Sequence, residues 1–248
     1  MLSTSRGRVI LFLGAPGSGK GTQSSRLSLE LGLPSVSTGE ILRAEAKENT
    51  PTGLRLRRLL ASGSLVSDRT VCSVVRSRLT CAALGSGLIL DGFPRTVRQA
   101  AWLNALLADC GLPTPTVLHL YVSRRELLRR LTARRQCAVC GAIYNLVSRP
   151  SLRGARCEKD GGALAGRDDD AEEVILRRLA EYDRMSSPLI EYYRALDYHV
   201  IDGEKNPQAI AADLLEIVRR AAPAAVENHT YRSEISSGSL AGGSYVTG

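Results

Sequence analysis

Short apolar runs separated by polar stretches of helical length give the chain its rhythm. Val9–Leu13 is unbroken apolar sequence of strand length, and Gly14 ends it. A strand apolar on both faces is buried on both faces, as in a parallel sheet. Helical spacing from Lys20 to Leu31 stops at Gly32, and Arg- and Leu-rich segments then read as polar helices through about Leu84. Gly87–Asp91 and Val117–Tyr121 repeat the buried-strand pattern, with a helix from about Thr96 to Cys110 between them. Ser123 and Glu126 form a capping-box pattern for the following helix. A long helix is expected from about Asp170 to Leu196, then a short strand at Tyr198–Ile201. Asn206-Pro207, an N-cap with Pro at the first helical position, opens a last helix that ends near Ala222.

Strands alternating with helices predict an α/β fold, a parallel sheet flanked by helices on both faces. Between Arg135 and Arg167 the periodicity lapses, so that stretch is expected to be a compact insertion. After Pro223 the chain is rich in Ser, Gly and Ala, and 223–248 is expected to be a disordered tail.

Composition adds limits. With aromatic residues at 4% and hydrophobic residues at 44%, the core must be built mainly from Leu, Val, Ile and Ala. A net charge of +8 admits nucleic acid, anionic lipid or small phosphates as partners without choosing among them. The chain has no apolar run long enough to span a membrane, and Met1–Arg8 lacks the apolar core of a secretory signal, so a cytoplasmic protein is expected. Three of the six cysteines, at 137, 140 and 157, cluster. This predicts a metal site, with Cys72, Cys81 and Cys110 as buried thiols on apolar helix faces rather than a disulfide framework. His119 and His199 lie in strands and are assigned no catalytic role.

Gly14-Ala15-Pro16-Gly17-Ser18-Gly19-Lys20-Gly21-Thr22 follows the first strand and opens a helix. Glycines let backbone N–H groups converge on phosphate oxygens, the helix N-terminus adds partial positive charge, and Lys20 adds a full one. The general motif of this phosphate loop places Ser or Thr directly after the Lys to hold Mg²⁺, but Gly21 stands there. Mg²⁺ would then be held by phosphates, water and an acidic residue. Asp91, at the C-terminal end of a parallel strand, is the candidate, through water.

Three motifs now stand in order: residues 14–22, Ser37-Thr38-Gly39-Glu40-Ile41-Leu42-Arg43, and Asp91-Gly92-Phe93-Pro94-Arg95 with Gln99 four residues on. Together they resemble the adenylate kinases over about residues 8–221, a family of the P-loop NTPase type. The resemblance implies transfer of a phosphoryl group from ATP to AMP, giving two ADP, within a monomer. On the ATP side it implies Gly17, Ser18, Gly19, Lys20, Gly21 and Thr22, with Arg130 and Arg134 on the phosphates. Ile143, Tyr144 and Lys205 match positions near the ATP base or ribose. On the AMP side it implies Thr38, Arg43, Leu65, Val66, Gly92, Phe93, Pro94 and Arg95, with Gln99 on the adenine edge. Arg167 and Arg178 match arginines that close over the transferring phosphate. The implied divisions are a kinase core at 8–222, an AMP-binding region at 37–66 and a lid at 135–168.

Phosphoryl transfer is mainly positioning and charge neutralisation, which suits a set of guanidinium groups and needs no His or Cys nucleophile. Cys137-x-x-Cys140 and Cys157-x-x-Asp160 can place four ligands tetrahedrally around a structural Zn²⁺. Gly141 suits the tight turn of a knuckle. An insertion of about 30 residues with little apolar content cannot build a core of its own, and a metal offsets the ordering cost. The resemblance includes zinc-bearing lids with Asp as the fourth ligand. Two other readings stay open: a kinase of another nucleoside monophosphate or one using GTP, and, more distantly, a basic zinc module binding nucleic acid. Against the last, the insertion has only Tyr144 as a stacking platform.

Overall fold

The computed structural model describes residues 7–62, 64, 66–76, 79, 81, 85 and 87–221, with Asp168 by its backbone alone. Its central sheet has five parallel strands: β1 (Val9–Leu13), β2 (Ser35–Ser37), β3 (Leu88–Asp91), β4 (Thr116–Tyr121) and β8 (Tyr198–Asp202). They lie in the order β2-β3-β1-β4-β8. In the middle, Leu11 sits opposite Leu90 on β3 and Val117 on β4.

Residues of β1 alternate between the two faces. Val9, Leu11 and Leu13 pack with Leu90, Leu103, Leu107 and Tyr193 on one side. Ile10 and Phe12 pack with Ile89, Leu27, Ile210 and Leu214 on the other. Helices α5 (Val97–Asp109) and α7 (Glu172–Arg194) cover the first face, and α1 (Lys20–Leu31) and α8 (Pro207–Arg220) cover the second. With both faces closed, every position of β1 must be apolar, which is the pattern in the sequence. Phe12 is fully buried, and truncation to Ala there would cost about 3–5 kcal/mol.

Between β2 and β3 stand α2 (Thr38–Glu45), α3 (Pro51–Ala61) and α4 (Asp68–Arg76). Thr50 caps α3 by accepting from Gly53 N, and Pro51 opens the helix. This helical region borders the crevice, and α3 touches the 3₁₀ turn at Asp168–Asp170. Helix α6 (Arg124–Thr132) leads from the central sheet into a small antiparallel sheet of β5 (Arg134–Cys137), β6 (Ile143–Asn145) and β7 (Leu164–Ala165), in the order β6-β5-β7.

Four details differ from the sequence expectations. Strand β2 lies where only helices were expected, because Ser35-Val36-Ser37 is too short and polar to show strand periodicity. The capping box at α6 is half made: Ser123 Oγ accepts from Glu126 N, but the Glu126 carboxylate is taken by Arg129 and Arg130. The Ser123 N–H donates instead to Glu204 Oε1 at 2.8 Å, from the turn after β8. The long helix starts at Glu172, the 3₁₀ turn occupying the residues before it. Finally, Cys81 and Cys110 are not separate buried thiols but a disulfide with Cα atoms 5.2 Å apart. Cys110 caps α5 and stays partly accessible, so the exposed Cys81 can reach it. Cys72 does pack against the core.

The expected tail at 223–248 lies outside the described residues. Among the described residues no helix is long and apolar enough to cross a membrane. Arg8, just before β1, donates from Nη1 to Val218 O at 2.6 Å and from Nη2 to Ala221 O at 2.9 Å. It thereby satisfies carbonyls at the end of α8 that the helix itself leaves unpaired.

Candidate active site

The loop between β1 and α1 opens at the C-terminal edge of the sheet, where a parallel sheet presents its crevice. Gly14 must be glycine: its φ is +142°, and a Cβ there would lie 2.6 Å from Leu120 O, a backbone atom that cannot yield. Ser18 N donates to Ala15 O at 3.1 Å, closing the turn. Lys20 folds back over the loop, donating to Gly14 O at 2.6 Å and Ala15 O at 2.8 Å. Gly19, in the left-handed region, caps α1 without a side-chain bond, so the helix N-terminus points its N–H groups at the loop.

Asp91 ends β3 directly across from this loop. A Cβ on Gly21 would lie 3.3 Å from Asp91 Oδ2, a close contact that would move the carboxylate by a few tenths of an ångström. Ser37 Oγ donates to the same oxygen at 3.3 Å. Thr38 Oγ1, at the start of α2, donates to Gly92 O at 2.8 Å and so ties α2 to the turn after β3.

Around this mouth the basic residues gather. Arg134 donates from Nε to Asp170 Oδ2 at 2.8 Å and from Nη2 to Asp170 Oδ1. Arg178 on α7 donates to Asp169 O at 2.9 Å and pairs with Asp169 Oδ2 at 2.8 Å. Arg167 donates from Nε to Gln136 Oε1 at 2.6 Å. Arg95 donates from Nε to Gly92 O at 3.0 Å. Arg43 lies over Gly39, where a Cβ would be 3.2 Å from Nη1.

These cations act on one another. Burial depresses the Lys20 ammonium to about 8; Asp91 opposes the shift, while Arg95, Arg178 and Arg134 add to it by repulsion. Arg167 is lowered to about 10, by burial first and then by Arg134 and Arg43. Burial likewise lowers Arg43, Arg95 and Arg178, and in each a neighbouring guanidinium of the same set contributes. Six cations therefore face one crevice, with Asp91, Asp169 and Asp170 set among them. Such a concentration of like charge is unfavourable alone and favourable around polyanions.

The remaining expected residues fall in several places. Val66, Phe93 and Gln99 are buried beside the crevice, with Pro94 following Phe93 in a cis peptide bond. Leu65 lies outside the described residues. Arg130 pairs with Glu126 at 2.7 Å along α6. Lys205 pairs with Asp213 at 2.9 Å, after β8. Ile143 is partly buried on β6, and Tyr144 is buried inside the insertion with its hydroxyl on Cys157 Sγ at 3.4 Å and Glu158 N at 2.9 Å.

In the insertion, ligand atoms of Cys137, Cys140, Cys157 and Asp160 all lie within 4.8 Å of one another. The Cys140–Cys157 sulfur separation is 3.6 Å, and Cys137 Sγ is 3.2 Å from Asp160 Oδ1. Sulfurs at Zn–S bonds of about 2.3 Å on a tetrahedron stand about 3.8 Å apart, so the donor set fits that ion. Both knuckles have one shape: Gly141 N donates to Cys137 O at 3.1 Å and Gly161 N to Cys157 O at 2.9 Å. A Cβ on Gly162 would lie 2.8 Å from Cys137 Sγ, so the chain closes tightly on the cluster.

A family model described as Adenylate kinase matches residues 12–198. The chain belongs to the adenylate kinase family. It is 44% identical over 211 residues to an adenylate kinase of Geobacter sp. (strain M21), covering 85% of this chain and 99% of that one. To adenylate kinases of Brevibacillus brevis and Methanocella arvoryzae it is 41% identical over 211 and 214 residues, covering 85% and 86% of this chain and 99% of each of theirs. Within this family frame, sequence reasoning missed Asp169 and Asp170, which orient Arg178 and Arg134. The run Asp168-Asp169-Asp170 read only as the polar start of a helix, and a three-carboxylate run beside a cationic crevice was the signal available.

Proposed function

We propose that this member of the family transfers a phosphoryl group reversibly between ATP and AMP, giving two ADP. One observation carries the reading: a glycine-built phosphate loop and a ring of mutually repelling cations face the same crevice. MgATP would lie on the loop, with Lys20, Arg130 and Arg134 on its phosphates and Ile143, Tyr144 and Lys205 along its nucleoside side. AMP would lie against α2–α4, with Arg43 and Arg95 on its phosphate and Thr38, Val66, Phe93 and Gln99 around its base. Arg167 and Arg178 would balance the charge that spreads over the transferring group. Asp91 would hold Mg²⁺ through water.

Cys137, Cys140, Cys157 and Asp160 would hold Zn²⁺. With four protein ligands its contribution is structural, fixing an insertion whose own buried cluster is small. We also read the enzyme as a cytoplasmic monomer that binds no nucleic acid, with the kinase core, AMP region and lid divided as the motifs suggest. The reduced lid thiols favour that compartment and the Cys81–Cys110 bond opposes it.

A coupled assay of ADP formation tests the activity. Lys20→Ala and Arg95→Ala should each lower turnover by about 10³-fold while the far-ultraviolet circular dichroism stays unchanged. Near-normal turnover in either folded variant overturns its role, and no ADP from the wild type with ATP and AMP overturns the reading.

A further inference from the structure

Gln99 is 3% exposed at the start of α5, and both atoms of its amide are already engaged. Its Oε1 accepts from the Arg95 backbone N–H at 2.8 Å, and its Nε2 donates to Asp68 Oδ1 at 2.7 Å. The second Asp68 oxygen, Oδ2, accepts from Thr96 Oγ1 at 3.1 Å. Thr96 Oγ1 in turn accepts from Gln99 N at 3.1 Å as the N-cap of α5. Every donor and acceptor in this ring has one assignment. A backbone N–H can only donate, and an ionised carboxylate can only accept. Turning the Gln99 amide over would set N–H against N–H at Arg95 and oxygen against oxygen at Asp68.

We propose that Asp68 is a specificity-determining positioning residue: by locking the Gln99 amide in one orientation it makes the acceptor site read a 6-aminopurine and refuse a 6-oxopurine. The proposal rests on the reading of Gln99 as the contact to the adenine edge. After the ring is formed, Oε1 keeps one lone pair and Nε2 one hydrogen. That pair matches the amino donor and ring-nitrogen acceptor of adenine. Hypoxanthine and guanine present the reverse, a carbonyl acceptor and a ring N–H donor, and could be met only by the flipped amide. The lock makes that flip costly, because it would bury two mismatched polar contacts.

Asp68→Asn loosens the lock in a definite direction. If the introduced amide keeps its oxygen on the Thr96 hydroxyl, its nitrogen faces Gln99, and each orientation of the Gln99 amide then meets one opposed N–H, from the introduced amide or from Arg95 N, so the flipped orientation loses its disadvantage. The test compares kcat/KM for AMP and for IMP, with ATP as donor, in wild type, Asp68→Asn, Asp68→Ser and Gln99→Ala. Thermal melts show that each is folded. The AMP-to-IMP ratio should fall by about tenfold or more in Asp68→Asn. The change should come from a higher KM for AMP and a gain with IMP, with kcat on saturating AMP changing less than the ratio. In Asp68→Ser, which removes the carboxylate without adding an amide, the ratio should also fall, but by less; this variant carries the test if Asp68→Asn does not fold. An unchanged ratio in a folded Asp68 variant, while Gln99→Ala collapses it, overturns the proposal alone. A Gln99→Ala enzyme with wild-type KM and ratio overturns the adenine contact itself, and the proposal with it.

Discussion

Asp170 grips Arg134 with both carboxylate oxygens, one on Nε and one on Nη2, and the pair is largely shielded, at 6% and 14% side-chain exposure. The acid orients the guanidinium toward the crevice and offsets repulsion from Arg167 and Arg178. Only a planar fork can be held this way while still presenting donors to phosphate. Arg134→Lys should therefore lower kcat by about 100-fold with little loss of fold. Steady-state assays at saturating ATP and AMP check this, and a lysine enzyme within about threefold of wild type would show that orientation by Asp170 is unimportant.

Metal removal should act on the insertion. Elemental analysis should find one Zn²⁺ per chain, and a chelator should lower the melting temperature by about 10 °C, as loss of a structural site worth a few kcal/mol does in a domain of this size. Cys157→Ser should melt at the chelated wild-type temperature and respond no further to chelator. A melt indifferent to both treatments would show that the knuckles stand on their polar contacts alone.

His119, on β4, is 8% exposed and places Nδ1 2.6 Å from the Tyr198 hydroxyl and Nε2 3.3 Å from the Tyr182 hydroxyl. Burial, reinforced by Lys20, lowers its pKa to about 4. The unfolded chain takes up this proton near pH 6.5, whereas the folded protein resists until about pH 4. Stability is thus unaffected above the unfolded value and falls as the pH drops below it, by about 2 kcal/mol between about pH 7 and pH 5. Urea unfolding of wild type and His119→Gln at both pH values should show this part of the acid sensitivity only in the wild type. Equal slopes would remove His119 from the acid response.

The Cys81–Cys110 bond closes a 29-residue separation that contains β3 and the whole of α5. Cross-linking a loop of that length stabilises by about 3–4 kcal/mol through the unfolded chain. Cys81→Ser should lower the melting temperature by about 10 °C without changing the lid's metal content. Calorimetry on the two proteins, with thiol counting to show one fewer oxidised pair, checks it.

What the sequence revealed follows from how strongly each element constrains its residues. β1, β3 and β4 were legible because burial on both faces forces unbroken apolar runs, and the phosphate loop because its glycines and Lys20 answer to backbone geometry. Gly32 and Asn206-Pro207 marked helix ends because capping chemistry is local. Strand β2 and the three strands of the insertion were not legible, since two to four residues are too few to show a period. The capping partner Glu204 and the acids Asp68, Asp169 and Asp170 escaped for another reason. Their partners lie beyond the reach of a helical turn, from nine residues away for Asp169 to 81 for Glu204, and nothing within a carboxylate's own neighbourhood says which cation or amide it will meet.

The clasp between Arg8 and the final turn of α8 holds the start of β1 beside Ala221. β1 runs from Arg8 toward the phosphate loop, so the clasp sits at the opposite pole of the sheet. A fluorescent label attached at Ala221 would thus hang from the floor of the molecule, leaving the nucleotide entrance unobstructed.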